Sequence, residues 1–177
     1  VTAQRRENWG EGIKNICESL KDIVEKNKDV ELVYLVHLNP IVKDMVEEYL
    51  GDVERVHLLP PLDTKETHNL MNRSYMVMTD SGGLQEEAPH LGKPVLVLRD
   101  VTERPEAVEA GTVKLVGTNK EVIINEANKL IRDKNEYEKM SRAINPYGDG
   151  NASKRIVDNL LYYFNLKENR AEDYKYE

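Results

Sequence analysis

The segment TDSGGLQEE, which follows an apolar β-prone run, contains the residues best suited to chemistry in this sequence. If a helix begins here, its first backbone N–H groups and the positive end of its dipole face an anion. Gly82 and Gly83 would let a phosphate approach the backbone, and Ser81 adds a hydroxyl donor. A carboxylate in the next turn, Glu86 or Glu87, would accept two hydrogen bonds from a diol such as ribose. The alternative is a turn that needs only flexible residues.

Three further loops are rich in charged or polar residues. Residues 99–106, RDVTERPE, contain two arginines and three acids, which either pair with one another or bind a ligand. Residues 4–8, QRREN, place two arginines near a helix start, where they either hold a phosphate or form a solvated turn. His37 ends a β-prone run at VHLNP and is either a structural histidine or a ligand contact.

The remaining histidines and the cysteine do not form a recognisable site. His57, His68 and His90 lack the spacing of metal ligands, so we predict no metal site. Cys17 falls on the apolar face of a predicted helix and is expected to be a core residue rather than a nucleophile. A single cysteine excludes an internal disulfide, which makes a reducing cytoplasm the expected location.

Composition restricts the classes of partner. The 177 residues include 25 Lys and Arg against 32 Asp and Glu, for a net charge of -7. This charge argues against a general affinity for nucleic acid or anionic lipid, although a local basic patch can still hold a phosphate. No apolar run approaches the roughly 20 residues needed to span a bilayer, and no signal peptide is recognisable.

Apolar periodicity alternates along the chain between the patterns of strands and helices, which predicts an α/β fold with a doubly wound parallel sheet. We predict strands at 30–37, 55–59, 75–79, 94–98 and 112–116, and helices at 13–24, 40–50, 63–72, 83–91, 120–133, 136–143 and 151–164. Residues 1–3 read as the end of another strand, so we expect a segment before Val1. We predict one domain over 1–164 and a polar, frayed tail over 165–177. Ligands bind such sheets at the carboxyl ends of the strands, where the four loops fall.

Six motifs in order resemble those of the bacterial non-hydrolysing UDP-N-acetylglucosamine 2-epimerases. They are VTAQRREN, VHLNP, TDSGGLQEEAP, GKPVLVLRDVTERPE, EAGTVKLVG and NPYGDG. The resemblance implies the C-terminal half of a GT-B-type fold, in which two Rossmann-like domains face each other across a cleft.

The resemblance also implies an activity, the interconversion of UDP-GlcNAc and UDP-ManNAc for surface polysaccharide precursors. In this family the C2 proton is removed and UDP is eliminated, then added back after protonation from the other face. No cofactor or metal is implied. The intact protein is expected to be a cytoplasmic homodimer that binds UDP-GlcNAc, UDP-ManNAc and UDP, but neither nucleic acid nor membrane.

Site roles transfer from the family by motif match. Ser81, Gly82 and Gly83 would hold UDP, with both glycines at the diphosphate. Glu87 would bind the ribose, and Arg104 would contact the diphosphate or the sugar.

Two more matched residues, Arg5 and His37, correspond to positions that bind a second UDP-GlcNAc as an allosteric activator.

Two residues depart from the family pattern. Gln4 stands where the family has a functional histidine, and an amide neither titrates near neutral pH nor carries charge. Thr67 stands where many members have a phenylalanine near the uracil. Loss of that aromatic contact would cost on the order of 1 kcal/mol of nucleotide affinity.

The acids that the family uses for proton transfer lie in the N-terminal half. We therefore predict that this chain alone binds UDP weakly and does not epimerise. One alternative is the donor-binding domain of a GT-B glycosyltransferase, although the TERPE and NPYGDG motifs favour the epimerase. Another is a non-catalytic UDP-sugar-sensing domain, which Gln4 favours. A flavodoxin-like regulatory domain ranks last, since its acidic phospho-acceptor pocket is missing.

Overall fold

The computed structural model describes residues 1–175 as parallel strands that alternate with helices. The strands are β1 (Leu32–Leu35), β2 (Val56–Leu59), β3 (Val77–Thr79), β4 (Val95–Val97) and β5 (Val113–Leu115). The helices are α1 (Glu11–Lys26), α2 (Pro40–Leu50), α3 (Thr64–Arg73), α4 (Gly82–His90), α5 (Pro105–Glu109), α6 (Lys120–Arg132), α7 (Lys134–Ser141) and α8 (Ala152–Tyr163), preceded by a 3-10 turn at Arg6–Asn8.

Residues Val1 and Thr2 join two groups of parallel strands. The groups are β1–β2 and β3–β4–β5. Val1 bonds to β1, because its amino group donates to the Val33 carbonyl over 2.7 Å and its carbonyl accepts from Leu35 at 3.0 Å. On the other side, the Thr2 N–H donates to the carbonyl of Met78 in β3 at 3.0 Å. The strand end predicted at residues 1–3 therefore lies between β1 and β3.

Helices cover both faces of this sheet, because alternate strand residues point to opposite sides. On one face Met78, Leu96 and Leu98 join a buried cluster with α1, α2 and α6. On the other face Val77 and Val97 pack in a second cluster with residues of α3, α4 and α5. This arrangement confirms the predicted Rossmann-like, doubly wound α/β fold.

The predicted elements all form, with ends shifted by a few residues. Asp63 caps α3 as predicted, since its carboxylate accepts the Glu66 N–H at 2.7 Å and Glu66 returns a bond to the Asp63 N–H. The sequence reading missed α5, which was assigned to a loop. Pro105 begins that helix, a position that suits its fixed φ and missing N–H.

The last helix and the segment after it lie outside the main core. Ile156, Val157 and Leu160 of α8 are more than half exposed. Beyond α8, the Tyr174 hydroxyl donates to the Asn145 carbonyl at 3.0 Å. Residues 176 and 177 of the predicted frayed tail lie outside the described part of the chain, and fraying of the tail stays a prediction. Within residues 1–175 no helix is both long enough and apolar enough to cross a membrane.

Candidate functional site

The carboxyl end of β3 leads directly into the N-terminus of α4. Ser81 precedes the helix in an extended conformation, and among residues 1–175 its side chain makes no capping hydrogen bond. The first N–H groups of α4 therefore remain available to an anion, which the helix dipole attracts. Gly83 is exposed in the first turn, so this end of the helix is open to a ligand.

Two arginine side chains converge on this turn from different loops. A Cβ atom placed on Gly82 would lie 3.9 Å from Nη2 of Arg5 and 4.0 Å from Nη2 of Arg104. Gly82 has no side chain to separate the two guanidinium groups from the backbone N–H groups. Guanidinium groups bind phosphate oxygens through charge-assisted hydrogen bonds. The geometry therefore places hydrogen-bond donors from three segments of the chain around Gly82.

A buried carboxylate holds Arg5 at this turn. Asp80 is fully buried, and its Oδ2 accepts the backbone N–H groups of Gln4 and Arg5, each at 2.8 Å. The Asn8 side chain donates to the same oxygen at 3.0 Å, and Arg5 Nε donates to the Asp80 carbonyl at 3.3 Å. Asp80 lies within the predicted phosphate motif, but sequence reasoning gave it no role. Its donors come from a distant loop, so no local pattern reveals them.

Arg104 is held on the opposite side of the turn. Its Nε donates to Glu86 of α4, and this ion pair raises the pKa of the guanidinium. Its backbone N–H donates to the Thr102 hydroxyl at 3.0 Å, and that hydroxyl donates to the buried Gln85 side chain at 2.6 Å. These bonds tie the loop after β4 to α4. The guanidinium group of Arg104 consequently stays beside Gly82.

Arg99 forms ion pairs that connect the loops, and its side chain does not lie at the open face of the site. It is 5% exposed and bonds to Glu7 at 2.6 Å and to Glu103 at 2.5 Å. Glu103 also lies 3.7 Å from Arg5 Nη1. The Arg99 hydrogen bond is the main reason that the pKa of Glu103 is lowered. Of the two interpretations open for residues 99–106, ion pairing accounts for Arg99.

Glu87 lies one turn after Gly83, toward α3. A Cβ atom placed on Gly83 would be 3.5 Å from Glu87 Oε1. The other oxygen, Oε2, lies 2.9 Å from Nε2 of His68 in α3. Both residues line a cavity of about 640 Å³ that continues toward Tyr147.

The NPYGDG motif forms the far wall of this cavity. The Asn145 amide donates to the Glu86 carbonyl at 3.4 Å, which attaches the motif to α4. Burial raises the pKa of the Tyr147 hydroxyl to about 12, so it stays protonated at neutral pH. Asp149 binds both guanidinium nitrogens of Arg155 at 2.7 Å. The motif is thus a hydrogen-bonded turn that leads into α8.

The other predicted site residues lie in separate environments. The Gln4 side chain is exposed, and only its backbone is fixed to Asp80. His37 follows β1, and its Nδ1 accepts the backbone N–H of Asn39 at 3.1 Å. Thr67 lines a different cavity of about 430 Å³, together with Leu70. The structure therefore brings Ser81, Gly82, Gly83, Arg5 and Arg104 together, with Glu87 beside them.

Metal ligation has no support in the described residues. Among residues 1–175, no group of three or more His, Cys, Asp or Glu side chains is placed to hold a metal ion. Cys17 is fully buried in α1, as predicted, and burial followed by the nearby Glu18 charge raises its thiol pKa to about 12.

Comparison with known proteins gives one consistent result. A protein-family model described as UDP-N-acetylglucosamine 2-epimerase matches residues 1–161. A relative from Clostridium acetobutylicum is 71% identical over 174 residues, which cover 98% of this chain and 45% of the relative.

Two solved structures share this fold at high similarity. The S. aureus MnaA–UDP co-structure superposes with a TM-score of 0.93 at 49% identity, covering 98% of this chain and 48% of that one. The Neisseria meningitidis UDP-GlcNAc 2-epimerase bound to UDP-GlcNAc gives a TM-score of 0.87 at 53% identity. The match covers 91% of this chain and 43% of that one. The chain thus spans a little under half the length of these relatives.

Proposed function

Because the chain belongs to the UDP-N-acetylglucosamine 2-epimerase family, we propose that it is the UDP-binding part of such an enzyme. The intact protein would interconvert UDP-GlcNAc and UDP-ManNAc by eliminating UDP and adding it back. This activity would serve the supply of surface polysaccharide precursors in the cytoplasm, and the intact protein would be a homodimer.

One observation carries the proposal. The guanidinium groups of Arg5 and Arg104 meet at Gly82, beside the uncapped N-terminus of α4. A diphosphate carries negative charge on both phosphoryl groups, so its oxygens need several hydrogen-bond donors. The two arginines and the backbone N–H groups satisfy that need from opposite sides.

Each predicted residue then takes a role that suits its position. The turn Ser81, Gly82 and Gly83 would bind the diphosphate, with Arg104 at its side. Glu87 would accept hydrogen bonds from the ribose hydroxyls, because its carboxylate lies next to Gly83.

The family resemblance gives Arg5 and His37 to a second UDP-GlcNAc, bound as an activator, so Arg5 would contact both that ligand and the diphosphate of UDP. Arg5 lies beside Gly82, so a second site that included Arg5 would adjoin the proposed diphosphate turn. Binding at one site would then change the affinity of the other site through the shared Arg5 side chain.

This chain alone would bind UDP without epimerising it. Proton removal at C2 needs a positioned base and acid, each of which contributes about 10²- to 10⁴-fold. The carboxylates and arginines beside Gly82 would bind the diphosphate and ribose rather than transfer protons. Gln4 occupies the position of a functional family histidine, and its exposed amide supplies no titratable group near neutral pH.

A non-catalytic UDP-sugar-sensing domain is the second candidate, and Gln4 is the observation that favours it. Such a domain would use the same turn and the same arginines. The two candidates therefore agree on UDP binding and differ in whether a complete protein containing this chain epimerises the sugar. The glycosyltransferase alternative would require transfer of the sugar to an acceptor.

Calorimetric titration of the 177-residue chain with UDP and with UMP tests the proposal. We expect saturable UDP binding that is weaker for UMP, which has one phosphate fewer. Gly83→Asp should abolish binding, since it places a negative charge at the turn and beside Glu87. Gly83→Asn is the matched control, because it has the same shape without the charge and should retain more affinity. Absence of UDP binding at millimolar concentration would contradict the proposal.

A further inference from the structure

Glu87 is joined across the site to a histidine that sequence reasoning did not assign to any function. His68 Nε2 lies 2.9 Å from Glu87 Oε2, and the pair links α3 to α4. A carboxylate oxygen only accepts hydrogen bonds, so His68 Nε2 carries a proton and donates it. The two side chains are 46% and 47% exposed, which leaves them accessible from the cavity.

The two oxygens of Glu87 have different surroundings. Oε2 is bound to His68, whereas Oε1 lies 3.5 Å from the Cβ position of Gly83. The hydrogen bond at Oε2 therefore fixes the rotation of the carboxylate and directs Oε1 toward the turn. His68 and Glu87 both line the cavity of about 640 Å³.

This arrangement favours a role in orientation over a role in stability. Exposed ion pairs contribute about 0–1 kcal/mol to folding, so the pair has little effect on the fold. A free glutamate side chain loses rotamer entropy when it binds a ligand. Holding one of its oxygens beforehand lowers that cost and raises affinity for a group that binds the other oxygen.

We propose that His68 is a positioning residue for nucleotide binding: it holds Glu87 Oε2 so that Oε1 accepts a hydrogen bond from a ribose hydroxyl. The proposal rests on the function proposed above, in which Glu87 binds the ribose of UDP. It adds a selectivity, since His68 would matter only for ligands that carry ribose hydroxyls.

The chain contains a matched control pair. His57 Nε2 lies 3.1 Å from Glu31 Oε2, and these side chains are 50% and 69% exposed. This second pair has the same chemistry as His68 and Glu87. His57 lies in β2, and neither residue of the second pair lines the cavity.

Calorimetry on the 177-residue chain would compare wild type, His68→Ala and His57→Ala. We expect His68→Ala to weaken UDP binding about fivefold to tenfold, the size of coupling seen between contacting groups. His57→Ala should leave UDP affinity unchanged. Inorganic pyrophosphate and 2′,3′-dideoxy-UDP lack the ribose hydroxyls, so their affinities should be the same in all three proteins.

A double-mutant cycle tests whether the effect passes through Glu87. In a Glu87→Ala background, His68→Ala should cause no further loss of UDP affinity. Circular dichroism melting curves of every variant would show whether the fold is intact.

Four results would count against the proposal, and they can be told apart. If His68→Ala changes UDP affinity by less than twofold or tightens it, His68 does not position Glu87, although UDP binding stands. An equal loss for pyrophosphate would indicate a general effect of charge, and an undiminished loss in the Glu87→Ala background would show action by another route. Absence of UDP binding by the wild-type chain would overturn the proposed function and this inference together.

Discussion

The Oδ2 atom of Asp80 lies 2.8 Å from the backbone nitrogen of Arg5, and this bond connects the core to the loop that carries Arg5. Asp80 ends the β3 region and is completely buried, whereas the guanidinium of Arg5 reaches the Gly82 turn. The carboxylate also accepts from Gln4 and Asn8. One buried side chain therefore fixes the whole loop that carries the first arginine.

Substitution of Asp80 by Asn should destabilise the protein and weaken UDP binding. The amide oxygen can take the place of Oδ2, but it is uncharged and a weaker acceptor, and the NH2 group would then occupy the buried Oδ1 position, where no hydrogen-bond partner lies among the described residues, at a cost of about 1–3 kcal/mol. Urea unfolding monitored by circular dichroism would measure the loss. Asp44→Asn, at an exposed position on α2, is the matched control and should change stability by less than about 0.5 kcal/mol. Equal stability of the two variants would contradict the role assigned to Asp80.

Arg5→Ala and Arg6→Ala should behave differently although the residues are adjacent. Arg5 points to Gly82, while the exposed Arg6 lies 6.0 Å from the centre of the Trp9 ring. Loss of a charge-assisted contact to phosphate should weaken UDP binding about tenfold to a hundredfold in Arg5→Ala. Arg6→Ala should retain wild-type affinity in the same calorimetric titration. Similar losses in both variants would indicate a general electrostatic effect in place of a defined site.

The start of α4 was predictable because its signals are local. Two glycines after an apolar β-prone run, followed by glutamates, identify a strand-to-helix turn within one short window of sequence. The match of Arg104 to the family motif likewise needed only the TERPE segment. In contrast, α5 has five residues, too few to show helical periodicity, and its charged neighbours suggested a loop.

The meeting of Arg5 with Gly82 could not be read from the sequence. It depends on Thr2 pairing with Thr79 of β3 and on Asp80 binding the following loop, which are contacts between distant segments. The bond between His68 and Glu87 is similar, because it joins two helices whose relative placement is set by the sheet. Sequence spacing predicts which residues share an element, and the tertiary structure determines which elements meet.

Glu136 should make the stability of the protein sensitive to acid. Hydrogen bonds from Lys129 and then Lys139 lower its pKa from 4.5 to about 2 in the folded state. The folded protein therefore binds fewer protons than the unfolded chain between these values, and stability falls as the pH drops through this range. Glu136→Gln should be less stable than wild type at pH 7, and this difference should shrink between pH 4.5 and 2.

Denaturant unfolding at pH 7, 4.5, 3 and 2 would measure that difference. Glu47→Gln, at an exposed position of α2, serves as the control for loss of one negative charge. If the difference in unfolding free energy between wild type and Glu136→Gln stays constant with pH, the two lysines do not stabilise the ionised carboxylate.

Gln4→His should change UDP binding without changing the fold. The Gln4 side chain is exposed, and its backbone atoms alone bond to Asp80 and to Trp9. Substitution at such a position is expected to alter stability by no more than about 0.5 kcal/mol. An imidazole beside the Arg5 loop would gain positive charge as the pH falls below its ordinary pKa of about 6.5. Relative to wild type, the variant should therefore gain UDP affinity between pH 8 and pH 6.

Calorimetric titrations at both pH values would compare Gln4→His with wild type and with Gln4→Asn. Asparagine is polar and does not titrate, so this control should follow the wild-type pH dependence. An added pH dependence in Gln4→His alone would place residue 4 within reach of the bound phosphates. If the histidine variant instead follows wild type at both pH values, residue 4 lies too far from the nucleotide to act on it. The loss of the family histidine would then leave UDP binding untouched, and an epimerisation assay on a complete protein containing this chain would distinguish the epimerase from the sensing domain.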